Sequence, residues 1–210
     1  MTAELIKIDA AHPERAISRG RDVIRAGGVI VYPTDTFYGL GADPGNPLAV
    51  QRIFEIKGRH AGQPVLLLIN DSGEVRDWAS EIDPAAERLM KKFWPGPLTL
   101  VFKAKPGVMT ELTGGTGTIG LRVPGNPLTR QLLASLGTAL TGTSANVSGR
   151  PSPGTAQEAA EAIGGMVDLV LDGGRTAGGK PSTVVDVSAE DLKVIREGAI
   201  PLREILCCCK

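Results

Sequence analysis

The chain is poor in aromatic residues, has two histidines and confines its cysteines to one end. Two tryptophans, two tyrosines and four phenylalanines make up 4% of 210 residues, so the core must be built from Leu, Ile, Val and Ala. The histidines are His12 and His60. With His12 beside Pro13 at a helix start, a Ser-His-Asp hydrolase is not supported, and no His/Cys/Asp cluster has zinc spacing. Cys207, Cys208 and Cys209 are adjacent, without partners elsewhere, and make neither a disulfide framework nor a CxxC site. Formal net charge is zero, which excludes a strong whole-surface attraction to nucleic acid but leaves local basic patches open. No apolar run approaches membrane-spanning length, and MTAELIKIDAAHPERA has no apolar signal core. The expectation is a soluble protein of a reducing cytoplasm, without a membrane partner.

What is abundant is glycine (27) and proline (15), spread along the chain as tight turns rather than gathered in a linker. Between them, apolar patterns alternate in period. Strands are expected at Leu5–Ile8, Gly28–Tyr32, Val65–Ile69, Leu98–Phe102, Thr118–Val123, Thr138–Thr141, Asp168–Leu171, Thr183–Val187 and Leu192–Arg196. Helices are expected after Pro13, over Pro47–Ile56, from Asp71 to Trp78, behind the Asp83-Pro84 cap, through Leu128–Leu136, after the Thr155/Glu158 capping box, and from Pro201, with Cys209 on the last helix's apolar face. The alternation predicts an α/β fold with a twisted, open mixed sheet and flanking helices. No repeat, composition shift or linker divides residues 1–210, so one domain is expected.

Two near-motifs fail. GRTAGGKPS resembles a phosphate loop, but Pro181 stands at the Ser/Thr position and a strand follows instead of a helix. GTSAN around Ser144 resembles a nucleophile elbow, but Asn146 replaces the last glycine. What remains is Lys57-Gly58-Arg59. Gly58 is a common helix end, and residues i and i+2 of extended chain point the same way. The two cations then aim at one spot, which suits a phosphate or carboxylate, although two solvated surface cations fit the spacing too. Polar residues at other strand ends (Thr34, Thr36, Thr118, Arg122, Ser144, Asn146, Ser182, Arg196) suit a shared pocket there, though each alone reads as a turn or cap.

PTDTFYGLGADPGN, then KGR with a proline and an apolar strand after it, IGLRVPGNPL, TSANVSG, and GKPSTVVD followed by IREG occur in that order. Together they resemble the YrdC-like family of threonylcarbamoyl-AMP synthases over nearly the whole chain, in its short single-domain form. The resemblance implies a YrdC-like sheet around a large, positively lined cavity. It also implies a nucleotidyltransferase reaction: L-threonine, bicarbonate and ATP give threonylcarbamoyl-AMP and pyrophosphate. Mg²⁺ would accompany ATP, and the downstream partner would be a tRNA-modifying threonylcarbamoyl transferase complex, with room for weak direct tRNA binding. By position, Lys57 and Arg59 would be the catalytic pair on the ATP phosphates. Thr118, Ser144, Asn146, Ser152 and Arg196 would complete the ATP-binding set, and Thr34, Arg122 and Ser182 would hold threonine. His60, where the family usually has proline, is a departure, and Gln63 lies near a position where relatives often contact threonine. A non-catalytic nucleotide- or RNA-binding paralogue of the same fold is the competing reading.

Overall fold

The computed structural model describes residues 3–59, 62–189 and 191–208. Ten strands are paired in one sheet. They are β1 (Glu4–Lys7), β2 (Ile30–Tyr32), β3 (Gly39–Gly41), β4 (Leu66–Leu68), β5 (Leu98–Lys103), β6 (Thr118–Arg122), β7 (Leu140–Ser144), β8 (Leu169–Asp172), β9 (Thr183–Asp186) and β10 (Lys193–Arg196). Their order is β1-β8-β2-β3-β7-β4-β6-β5-β9-β10. The pairs β1/β8, β2/β8, β4/β6 and β5/β9 are parallel. The other five are antiparallel, so the sheet is mixed.

The helices are α1 (Glu14–Arg25), α2 (Pro47–Lys57), α3 (Val75–Trp78), α4 (Pro84–Phe93), α5 (Thr110–Thr113), α6 (Pro127–Leu136), α7 (Ala156–Ile163) and α8 (Leu202–Leu206). Local chemistry starts most of the longer ones. Asn46 and Asn126 each accept two backbone N–H groups ahead of a proline at the first helical position, and Asp83 and Thr155 cap α4 and α7. Apolar faces then set their places. Leu132, Leu133 and Leu136 of α6 pack with Ala16, Val23 and Ile24 of α1 over β2 and β8. Ala86, Leu89 and Met90 of α4 cover Leu98, Leu100, Phe102, Ile119 and Leu121 on β5 and β6. Helix α2 joins two clusters, placing Val50 and Phe54 in that core and Ala49, Ile53 and Ile56 against α7.

Strand and helix expectations agree with these elements to within about two residues at most ends. Three differ more. Gly39-Leu40-Gly41 is a strand that the sequence hides, because its glycines are needed for packing rather than turning. A Cβ at Gly39 would stand 2.8 Å from Tyr32 Cζ, and one at Gly41 2.6 Å from Tyr32 Cε1. The Tyr32 ring lies across β3, and its hydroxyl donates to the Thr141 carbonyl. The single turn of α5 lies outside any expected helix, and β7 starts at Leu140 rather than Thr138 and continues to Ser144. The expectation for Cys209 lies outside the described residues. Among the described residues, no helix is long and apolar enough to cross a membrane.

Leu67 tests the packing at the sheet centre, where it is fully buried between Leu121 and Thr141 on the neighbouring strands. Leu67→Ala is expected to lower stability by about 2–5 kcal/mol, read as a reduced urea midpoint at unchanged slope. A loss below about 1 kcal/mol would contradict a close-packed core there.

Candidate functional site

Alternate residues of the strands turn to opposite faces. On one face, Leu66 and Leu68, Thr99 and Val101, Thr118, Gly120 and Arg122, Gly142 and Ser144, and Val184 and Asp186 line a cavity of about 760 Å³. Loops and helix ends close its sides with Thr34, Thr36, Lys57, Arg59, Ser152, Ser182 and Arg196. Residues from nine separate stretches of sequence, from Thr34 to Arg196, therefore meet in one space. Of the positions singled out in the sequence, Asn146 and Gln63 are outside the lining. Asn146 is buried behind Lys57, and Gln63 is exposed. His60 lies outside the described residues.

Lys57 and Arg59 reach the cavity by a route other than extended chain. Lys57 is the last residue of α2, at the carbonyl end where the helix dipole favours a cation. Gly58 then takes a left-handed conformation (φ 60°, ψ 35°) that suits glycine. The N–H groups of Gly58 and Arg59 return to the Glu55 and Phe54 carbonyls. The helix cap, not an i/i+2 alternation, brings both cations to one wall.

The Lys57 side chain is 1% exposed. Its ammonium donates to the Ser144 carbonyl at 2.6 Å, Asn146 Oδ1 at 2.6 Å and Ser144 Oγ at 3.2 Å. Three donors meet three acceptors, and all three acceptors are neutral. Among the described residues no carboxylate pairs with Lys57. Burial, and secondarily the Arg59 charge, bring its pKa down to about 7. Arg59 donates through Nε to Ser148 Oγ at 2.6 Å. The wall thus carries two cations that no acid among the described residues pairs.

The other end is built differently. Arg122, 4% exposed, donates through Nε to the Gly96 carbonyl at 2.9 Å and through Nη2 to Asp35 Oδ1. Arg196 donates to the Ser182 carbonyl and hydroxyl, and the Ser182 hydroxyl also meets Thr99 Oγ1 at 3.1 Å. Burial, then the nearby Arg122 charge, lower the Arg196 pKa. Thr34 Oγ1 donates to the Phe37 carbonyl at 2.6 Å and accepts the Thr36 N–H at 3.1 Å. At the far edge, Thr118 and Thr116 hydroxyls stand 2.8 Å apart. Among the described residues, the lining holds four cationic side chains, of which Arg122 is already paired with Asp35, and one acid, Asp186, whose Oδ1 already accepts the Ser188 N–H and hydroxyl. Such a space attracts polyanions and pairs them through charge-assisted hydrogen bonds.

Asp35, the partner of Arg122, is absent from the sequence expectations although it sits inside PTDT between two chosen threonines. Its signal is the need of a buried guanidinium for an anion. Its second oxygen, Oδ2, is buried and has no hydrogen-bond partner among the described residues. Asp35→Ala leaves Arg122 buried without its counter-charge. A stability loss of about 3 kcal/mol is expected, the low end for a broken buried pair because the Asp35 side chain is 18% exposed. Chemical denaturation reads it, and unchanged stability would refute a structural role for the pair.

The Sua5–YciO–YrdC family model, described as telomere recombination, matches residues 22–198. The chain is 41% identical over 182 residues to the threonylcarbamoyl-AMP synthase of Pyrococcus abyssi, covering 87% of this chain and 54% of that protein. It is 36% identical over 190 residues to that of Bacillus subtilis, covering 90% and 55%. It therefore spans about half the length of these two relatives. The enzyme of the same name from Thiobacillus denitrificans is matched over 87% of its length at 39% identity, which takes in 79% of this chain. Among solved structures, P. abyssi Sua5 complexed with L-threonine is similar at TM-score 0.93 and 38% identity, over 97% of this chain and 60% of that one. Escherichia coli YciO is similar at TM-score 0.88 and 33% identity, over 97% and 99%. Fold and sequence agree with these relatives, and the chain belongs to the Sua5–YciO–YrdC family.

Proposed function

We propose that this chain is an L-threonylcarbamoyladenylate synthase: it condenses L-threonine, bicarbonate and ATP into threonylcarbamoyl-AMP and releases pyrophosphate. The observation that carries the reading is the pair Lys57 and Arg59, uncancelled cations sharing one cavity with a separate Arg122–Ser182 end. Two ends of different chemistry suit two substrates. The wall with free positive charge takes the triphosphate, an oxygen of which replaces Ser144 Oγ, the most distant of the three Lys57 acceptors at 3.2 Å. The end with Arg122, Ser182 and Thr34 takes the amino acid, with the spare guanidinium hydrogens of Arg122 directed to its carboxylate. Thr118, Ser144, Ser152 and Arg196, which line the same cavity, are assigned to the rest of the nucleotide, with Arg196 reaching it from the Ser182 end. The relative solved with L-threonine supports threonine as the amino acid.

The chemistry asks for placement and charge rather than a protein nucleophile. The threonine amine adds to bicarbonate with loss of water and gives a carbamate. A carbamate oxygen then attacks the α-phosphorus, the bond to the bridging oxygen breaks, and pyrophosphate leaves with the electron pair. Bicarbonate, the carbamate and ATP are all anionic, so cations fixed beforehand offset their repulsion and stabilise the leaving group. Holding the reactants in contact supplies a further large share of the rate. Among the described residues, no three His, Cys, Asp or Glu side chains cluster closely enough to hold a metal ion. Mg²⁺ is accordingly read as arriving with ATP, its ligands largely phosphate oxygens and water. The mixed anhydride would pass to a tRNA-modifying threonylcarbamoyl transferase.

Pyrophosphate release from ATP and Mg²⁺ is expected to require both threonine and bicarbonate. Lys57→Ala and Arg59→Ala should each lower kcat by about 10²–10³-fold, equivalent to about 2.7–4 kcal/mol, while the fold persists. Normal release by either folded variant would overturn the reading. Nucleotide or RNA binding without release would return the chain to a non-catalytic paralogue of the same fold.

The acting form of Lys57 is the ammonium, present below its pKa and lost above it. In the free protein that pKa is about 7, so kcat/KM for ATP should decline above neutral pH. A bound triphosphate favours the ammonium, so the same limb in kcat should lie at higher pH. Coincident limbs would show that Lys57 does not meet the phosphates.

A further inference from the structure

Asn146 is expected from its position to bind ATP, yet it does not face the cavity. It is 4% exposed, while Ser144 before it and Ser152 after it both line the space. Its amide is fully occupied inside the protein. Oδ1 accepts from the Lys57 ammonium at 2.6 Å and from the Ser144 hydroxyl at 2.6 Å. Nδ2 donates to the Arg150 carbonyl and, at 3.2 Å, to the Pro151 carbonyl. An amide oxygen has two lone pairs and an amide nitrogen two hydrogens, so nothing is left over for a ligand. The orientation is forced, since an ammonium can only donate and a carbonyl can only accept.

The same turn also carries the second cation. Ser148 N–H donates to the Lys57 carbonyl at 3.0 Å, and Ser148 Oγ accepts from Arg59 Nε. Beyond it, the Pro153 carbonyl accepts the Tyr38 N–H, which ties the turn to the start of β3. Asn146 is the side chain that joins the Lys57 ammonium to this turn at its Arg150–Pro151 end. Its amide supplies both an acceptor for the ammonium and donors for the turn. Aspartate lacks the two donors and adds a charge, while serine lacks the reach and the second pair of bonds.

We propose that Asn146 is a positioning residue: it holds the Lys57 ammonium at the cavity wall from behind and fixes it relative to the 147–153 turn, acting on the nucleotide through Lys57 and not by contact. This rests on the reading of Lys57 as a phosphate-binding cation. The charged group acting on Lys57 is Arg59, from the adjoining helix end, and the contacts from β7 and the turn are neutral oxygens.

The test follows Lys57 itself. In the full chain without ligand, labelled lysine ε-carbons are titrated by NMR, with Lys57→Ala identifying the resonance. The native midpoint is expected at about 7. Asn146→Asp places a carboxylate against the ammonium and should raise the midpoint by about one unit or more. Asn146→Ala removes an acceptor from the charged form and should lower it. Midpoints unchanged in both variants overturn the proposal. If substitution at Asn146 impairs folding, Ser144→Ala, which removes one acceptor from the ammonium and one donor from Asn146, should still lower the midpoint, and an unmoved midpoint there also counts against it.

Calorimetry with ATP supplies the second arm. Asn146→Ala should weaken binding about tenfold or more in the native background and less than about threefold in a Lys57→Ala background, because the two act as one unit. Equal losses in both backgrounds would establish direct contact and overturn the proposal. If the native chain shows no threonine-dependent pyrophosphate release but the midpoints move as stated, the synthase reading fails and the positioning role stands.

Discussion

A lysine ammonium taken out of water needs either a counter-ion or a full set of acceptors. Lys57 has the second and, among the described residues, lacks the first. Three neutral oxygens satisfy its hydrogen bonds without cancelling its charge, and the cavity is organised around that fact. The ammonium is held in place, partly starved of solvation and placed beside another cation. Its cheapest relief is an anion. An acidic partner in the same position would have made a more comfortable lysine and a poorer phosphate site, because the incoming anion would have to displace a carboxylate. The strands and loops that supply the oxygens are therefore as much part of the site as the cation itself.

Arg122 shows the opposite solution at the other end of the cavity. It is paired with Asp35 and fixed by the Gly96 carbonyl, so its charge is largely answered before any ligand arrives. A guanidinium can be paired on one edge and still offer hydrogen atoms on another, which an ammonium cannot do with the same directionality. One end thus provides shape and orientation, and the other provides field. That division suits a reaction between a small zwitterion and a polyanion. It also explains why the two ends use different basic residues.

Much of the fold was legible from period and punctuation. The apolar run Val65–Ile69, the helix expected over Pro47–Ile56 and the one expected behind the Asp83-Pro84 cap lead directly to elements of the structure. The order of strands in the sheet was not legible, because β8 pairs with β1 and β2 across more than a hundred residues and nothing local encodes that. Strand β3 was hidden because glycine there answers to the Tyr32 ring, a contact between neighbouring strands. At the site, residue types chosen at strand ends do converge on one cavity, but their division of labour was invisible. Whether Asn146 faces the ligand or stands behind Lys57, and whether Asp35 matters at all, depends on a side chain's partners and not on its place in a motif.

The neutral formal charge of the chain then has a definite physical meaning. Twenty-three basic and twenty-three acidic residues cancel over the whole sequence, yet the cavity lining holds four cations and one acid. The positive field is local. Exposed pairs such as Arg19–Glu4 and Arg52–Asp168 tie up basic residues elsewhere, where screening by salt leaves them little reach. Inside the cavity, low-dielectric walls preserve the field over the distance that a triphosphate spans. A chain that was basic all over would attract any polyanion to any face. Segregating a few uncancelled charges on one wall, behind neutral acceptors, gives attraction at one place with little elsewhere, and the sequence average conceals this because averaging removes the segregation on which the site depends.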